Sequence, residues 1–325
     1  MKSYKYRFTR RWFYFYQHYF NNQDSFFKKR FKHVLVSFFT GALSPLIIPS
    51  TKLLSLVLQK LNPQFYRGFS YEGTAIGFGI KSSFARHKGS HFEKQINQLS
   101  PASIYQYYVG LGWWLHLLYK YDQKKYSKLV NQLNPNYSHI MFDGVGFKIG
   151  LFHYIYNKQC INLFNNFSEQ QKRVCFQGFG RSLWFISRFQ WDVALKELNR
   201  LGQQFPYRND ILSGMGLAVA YSIFDNLFLG QKIIQSIEEK EDLAPFIQGL
   251  AFGLETRKRQ DPNLWEMTIE NLPKDLINYA NNLIDLVHKV KDDLNKTCNN
   301  HDFYVLWIDG IRQQIKENGY AEANK

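Results

Sequence analysis

Six residues occupy one recurring place in this chain, each directly before a glycine: Glu72, Val109, Asp143, Gln177, Ser213 and Gln248. Equivalent positions of a repeat line one face of an array. Glu72 and Asp143 are therefore expected to project into a shared groove with Arg181, and with Lys148 as a further neighbour. Two carboxylates and a guanidinium in an aromatic-walled groove are a set for acid/base chemistry, because unequal surroundings can push one acid towards the neutral form while the other stays charged. Glu72, Asp143 and Arg181 are thus the candidate catalytic residues. The competing reading is structural: acids placed at helix starts complement the helix dipole.

Other chemistry finds little support. The chain has no Walker loop, no HExxH, no GxSxG and no dinucleotide fingerprint behind a strand, so no motif names a cofactor. His116 and His153 follow their nearest repeat glycines by six and nine residues, at different repeat positions and without further ligands in view. A metal site is not expected from them. Trp113, Trp114 and Trp184 read as core. Cys160, Cys175 and Cys298 form an odd set with no CxxC, which suits buried apolar thiols in a reducing, cytoplasmic compartment.

The elements that would position these residues repeat. Gly73, Gly110, Gly144, Gly178, Gly214 and Gly249 are spaced 37, 34, 34, 36 and 35 residues apart, and each is followed two positions on by Gly or Ala. Apolar, helix-length stretches follow the glycines: Leu111–Tyr119, Phe147–Tyr156, Leu183–Phe189 and Leu217–Phe228. Shorter stretches lie between: Phe92–Leu99, Tyr126–Leu133, Ile161–Phe167 and Val193–Leu201. No segment alternates with period two as a strand would. The expected fold is all-α: six tandem helical hairpins of about 35 residues, stacked as an α-solenoid of the TPR or Sel1 kind, with a closed α/α toroid as the alternative. Glycine inside a helix costs about 1 kcal/mol against alanine. Its recurrence calls for close approach of neighbouring helices, with a ligand floor as the functional alternative. Residues 61–260 would hold the six repeats. Residues 261–325 would cap them, with Thr256–Arg259 to Pro262 a linker or turn, Pro273 opening an amphipathic helix and a frayed tail from Gly319.

Residues 1–60 read as a separate basic, aromatic segment. The chain carries a formal net charge of +15, and residues 1–33 hold nine Lys or Arg against the single acid Asp24, or 9 − 1 = +8. The body is only mildly basic, so nucleic acid is not the expected partner. The uncharged run Val34–Thr51 has 18 residues, the lower edge of a membrane span, but polar residues dilute it and Pro45 and Pro49 are expected to break its helix. A secretory signal is not expected either. Aromatic and cationic residues beside a short apolar run suit contact of residues 1–51 with an anionic membrane surface. A helix packing on the body, or on a partner, is the other reading.

The segments Arg67-Gly68-Phe69-Ser70-Tyr71-Glu72-Gly73, Asp143-Gly144-Val145-Gly146-Phe147 and Gly178-Phe179-Gly180-Arg181-Ser182-Leu183-Trp184-Phe185 resemble, as an ordered set, an uncharacterised bacterial family that includes the UnbL-like proteins encoded beside enediyne polyketide synthases. The resemblance covers residues 60–260. It implies a bacterial source and, for some members, a part in making or processing polyene-derived products; it assigns no catalytic residue. The long aromatic, basic N-terminus departs from that pattern.

Two functions follow as expectations. One is an enzyme or accessory subunit acting on a hydrophobic small molecule, polyene-like or lipid-like. The other is a non-catalytic repeat scaffold binding a protein partner, at a membrane surface or in the cytoplasm.

Overall fold

The computed structural model describes residues 2–21, 23–298 and 300–318. The tail from Gly319, expected to fray, lies outside them. Among the described residues there are sixteen α-helices and no strand. In chain order they are α1 (Lys2–Phe20), α2 (Ser25–Ile47), α3 (Thr51–Leu61), α4 (Arg67–Ser82), α5 (Lys88–Leu99), α6 (Ile104–Tyr119), α7 (Gln123–Val130), α8 (Ile140–Ile149), α9 (Glu169–Ile186), α10 (Trp191–Asn199), α11 (Arg208–Ser222), α12 (Leu227–Ser236), α13 (Lys240–Gln260), α14 (Pro262–Ile269), α15 (Lys274–Thr297) and α16 (Phe303–Glu317). No described helix is long and apolar enough to cross a membrane.

Local signals start several of these helices. The Asp24, Asp122 and Asp261 side chains accept backbone N–H groups at the starts of α2, α7 and α14, and Ser168 with Gln171 forms a capping box on α9. Each capped N–H would otherwise be an unpaired donor at the helix end.

The six repeat glycines lie inside α4, α6, α8, α9, α11 and α13, and these helices pack in sequence order. Within a helix, residues i and i+2 are separated by about 200°, so the two glycines of a pair face opposite neighbours. A Cβ on Gly110, Gly144, Gly178, Gly214 or Gly249 would collide with the carbonyl oxygen of Glu72, Val109, Asp143, Gln177 or Ser213. Each of those residues precedes the leading glycine of the helix before. The second glycine faces forward: a Cβ on Gly112, Gly146, Gly180 or Gly216 would collide with the carbonyl of Met141, Cys175, Ile211 or Phe246, three residues before the next leading glycine. Backbone therefore meets backbone at every step, close enough for Cα–H···O contacts.

The same contact extends one step N-terminally. A Cβ on Gly41 would collide with Ser70 O, and one on Gly73 with Phe38 O, so α2 packs on α4 as each glycine helix packs on the next. At the other end, α13 returns to the beginning. Arg257 donates to Phe65 O at 2.8 Å, Arg259 to Tyr105 Oη at 2.8 Å and Gln260 to Ser103 Oγ at 3.1 Å. The final helix α16 lies on the inner side of the row, where Tyr304 donates to Gln177 Oε1 at 2.8 Å and Arg312 to Gln248 Oε1 at 3.1 Å.

Several local expectations are corrected. The glycine pairs, expected ahead of the apolar helical stretches, sit within the helices themselves, where the backbones meet. Thr256–Arg259 is no linker, because α13 continues to Gln260 and only Asp261 separates it from α14. Pro45 lies in the last turn of α2 without ending it, and Pro49 falls in the following connection. Phe147–Tyr156 passes into a π turn at Gly150–Tyr154, Ile161–Phe167 falls in a 3₁₀ segment, Lys158–Asn166, and Leu217–Phe228 is divided between α11 and α12. The helix behind Pro273 is present as α15.

Candidate functional site

Asp143 (α8) and Arg181 (α9) lie on consecutive helices, and Glu72 (α4), distant in sequence, joins them. Arg181 Nη1 donates to Asp143 Oδ1, and Nη2 lies 3.5 Å from Glu72 Oε2. The Arg181 guanidinium also stands over the Phe147 ring, 4.5 Å from its centroid. All three side chains are buried, and one cation faces two acids.

Burial and that imbalance set the protonation. Burial raises the Glu72 pKa to about 7, aided by the Asp143 charge and opposed by Arg181. Burial raises Asp143 too, with Arg181 and its hydrogen bond opposing. Burial works against the charge on Arg181, but Asp143 and Glu72 more than offset it and hold the guanidinium protonated. The closer acid is therefore the paired one, and Glu72 is the group poised to gain or lose a proton near neutrality. Glu72 Oε1 and Asp143 Oδ2 are both buried without a hydrogen-bond partner. Such orphan acceptors are costly in a core unless a ligand or water meets them.

Both acids and Arg181 line a narrow cavity. Its walls are largely apolar and aromatic and come from α4, α6, α8, α9, α11, α13 and α16. Gln106 Oε1, a further orphan acceptor, belongs to a residue on the same wall. Tyr304 and Trp307 of α16 and Tyr221 of α11 complete the enclosure. Sequence reading missed these three because nothing in their spacing ties them to residue 72. Val109 and Asp143 reach the cavity from the position before their glycines, as Glu72 does. Gln177 and Gln248 point to the same inner side but are taken up by α16.

Lys148 is not part of the cluster. Its Nζ lies 3.0 Å from His116 Nδ1 and 3.4 Å from Trp113 O, because five positions after Asp143 the helix has turned to another face. Burial lowers Lys148 to about 7, His116 to about 3 and His153 to about 4, so near pH 7 both histidines are neutral and Lys148 is about half protonated. The dipole reading fits Asp143, which lies in the first turn of α8, but not Glu72, which lies beyond the first turn of α4. Trp113 and Trp184 are buried and Trp114 partly so; Cys160 and Cys175 are buried and Cys298 half-buried. Among the described residues no three His, Cys, Asp or Glu are placed to hold a metal ion.

Residues 11–315 match the model of a family described as a protein of unknown function, DUF1702. No curated protein and no solved structure matches the chain.

Proposed function

The chain belongs to the DUF1702 family, and we propose that it is an enzyme, or an enzyme's accessory subunit, acting on a hydrophobic molecule of polyene-like or lipid-like character. In this reading Glu72 moves a proton, Asp143 accepts from Arg181, and Arg181 holds both carboxylates in place. The observation that supports it is the pair of unpartnered carboxylate oxygens on an aromatic-walled cavity. A protonated Glu72 is buried on that cavity, and the rings beside it suit an unsaturated chain or a cationic intermediate. The resemblance to the UnbL-like proteins points the same way, towards products of polyene origin. The return of α13 to the start of α4 and α6 favours the closed ring of hairpins over the open superhelix.

Glu72→Gln keeps the size and the burial of the side chain but removes the titrating proton. Product formation in a reconstituted pathway is expected to fall about 10²- to 10⁴-fold, with circular dichroism unchanged. Full activity in this variant and in Asp143→Asn would leave the cluster a structural pin for three helices.

A separate observation supports a membrane-surface role in place of the protein-binding scaffold. Residues 25–71 contain seven Lys or Arg and no acid. On α2 the exposed residues Val36, Phe39, Leu43, Leu46 and Ile47 form a stripe at helical spacing, with Lys29 and Lys32 exposed at its start. An apolar stripe beginning among cations, with no acid to repel lipid phosphate, fits the surface of an anionic bilayer. α16 occupies the inner side of the row, where a repeat scaffold would offer its groove to a partner. Sedimentation with phosphatidylglycerol vesicles, weaker with phosphatidylcholine and lost in Phe39→Asp/Leu43→Asp, is the expected result. Equal sedimentation of the double variant would remove the membrane role.

A further inference from the structure

A second cavity lies beside the first, at the seam where α13 returns to α4. It is polar, and it is lined by Arg67, Arg257, Gln59, Gln64, Gln260 and Asp261, among others. Two cations face one acid here, and the acid is engaged: Asp261 Oδ1 caps Leu264 N at 3.0 Å and Oδ2 accepts from Gln64 at 3.0 Å. Arg67 donates to Gln59 O at 3.2 Å through Nη2, while its Nε is buried with no partner. Arg257 is buried and bonds only to the carbonyls of Tyr221 and Phe65. Its guanidinium also stands over the rings of Phe65 and Tyr221, 4.6 and 4.0 Å from their centroids, and no acid forms an ion pair with it among the described residues, although the Asp225 charge favours its protonated form.

The partition between the two cavities is thin. Tyr221 lines the inner cavity and Gln260 the polar one, and the Tyr221 hydroxyl donates to Gln260 Oε1 at 3.0 Å. Gln260 Nε2 donates to Ser103 Oγ at 3.1 Å. Both side chains rest against Gly68, where a Cβ would collide with the Tyr221 hydroxyl and the Gln260 amide. Neighbouring residues on one helix serve opposite sides: Glu72 and Thr256 face the inner cavity, Tyr71 and Arg257 the polar one.

We propose that the polar cavity is the head-group site for an anionic amphiphile, a carboxylate or a phosphate monoester, whose apolar body passes Tyr221 and Gln260 into the inner cavity beside Glu72. The inference rests on the proposed function and adds the substrate class. Arg67 supplies the free donor and Arg257 a second positive charge, while the aromatic cavity takes the chain.

The test uses a conjugated polyene fatty acid, parinaric acid, whose fluorescence rises on binding, together with its methyl ester and with farnesyl phosphate as competitor. The acid is expected to bind the full-length protein more tightly than the ester. Arg67→Gln is expected to weaken the acid at least tenfold and leave the ester unchanged, while Arg67→Lys, which keeps the charge, retains most of the affinity. Displacement of the acid by farnesyl phosphate extends the head group to phosphate; its failure to compete restricts the site to carboxylates, and either result supports an anionic head. Equal binding of acid and ester, with Arg67→Gln without effect on either, overturns the head-group site and leaves the role of Glu72 standing. An acid preference that needs Arg67, combined with full product formation by Glu72→Gln, keeps the head-group site and removes the acid/base role.

Discussion

Gly249→Ala tests the packing on which the rest of the molecule depends. A Cβ at this position would lie 2.6 Å from the Ser213 carbonyl carbon and 2.9 Å from Leu217 N, both backbone atoms of α11. Backbone cannot swing aside as a side chain can, and the Ser213 carbonyl oxygen is nearer still, so α11 and α13 must part by about 1.5 Å to restore ordinary contact. A gap of that size forfeits roughly half or more of the dispersion energy of the atoms along it. Overpacking costs about 1–3 kcal/mol, and at a backbone–backbone crossing the upper part of that range applies. Alanine returns about 1 kcal/mol of helix propensity. The net expectation is a loss of about 2 kcal/mol. Gly230→Ala on α12 is the control, because its nearest neighbours are the flexible Leu250 methyls at 3.2 and 3.6 Å. There the propensity gain dominates, and the variant is expected to match or exceed the parent by up to about 1 kcal/mol. Urea denaturation followed by far-ultraviolet circular dichroism measures both. A Gly249→Ala protein as stable as the parent would refute the idea that bare glycine backbone is what lets these helices meet.

Further outcomes follow from the buried charges. Glu72 has a folded pKa raised to about 7, so its contribution to stability is full below the unfolded value near 4.5 and is lost as pH rises through 7. Glu72→Gln is expected to remove a pH-dependent change on the order of 2–3 kcal/mol between pH 5 and pH 8, and an unchanged dependence would count against a buried titrating carboxyl. Lys148 has the opposite sign: its folded pKa is lowered to about 7, so stability falls as pH drops from about 10 towards 7. Lys148→Met is expected to stabilise the protein at pH 7.5, and a loss there would show that the contacts with His116 and Trp113 outweigh burial of the amine. Arg181→Leu strands two acids and is expected to cost about 3–5 kcal/mol. Adding Glu72→Met and Asp143→Leu to it should recover most of that loss, and no recovery would mean the cluster does more than balance its own charge.

Much of the fold was legible in the sequence because it rests on a local, repeated property. A glycine every 34 to 37 residues, followed two positions on by a small residue, marks where helices meet, since only a missing side chain permits that approach. Helical class, the succession of glycine helices and the inward direction of Glu72, Val109 and Asp143 all followed from it. The step from α2 to α4 was not legible, because Phe39 stands where a leading glycine would and only Gly41 keeps the pattern. A single residue of a pair carries too little signal to be seen against an aromatic, basic background.

The meeting of Arg181 with Glu72 spans 109 residues, and no spacing rule operates at that range. Nor could periodicity show that α13 returns to α4, that α16 fills the inner side, or that Lys148 turns away to His116. Sequence by itself determined the helices and the glycine contacts between consecutive ones, which depend on side-chain size at fixed intervals. The return of α13 to the starts of α4 and α6 was decided only in three dimensions. Contacts between helices far apart in the chain bring these side chains together, burying two acids with one arginine and leaving the polar cavity beside them.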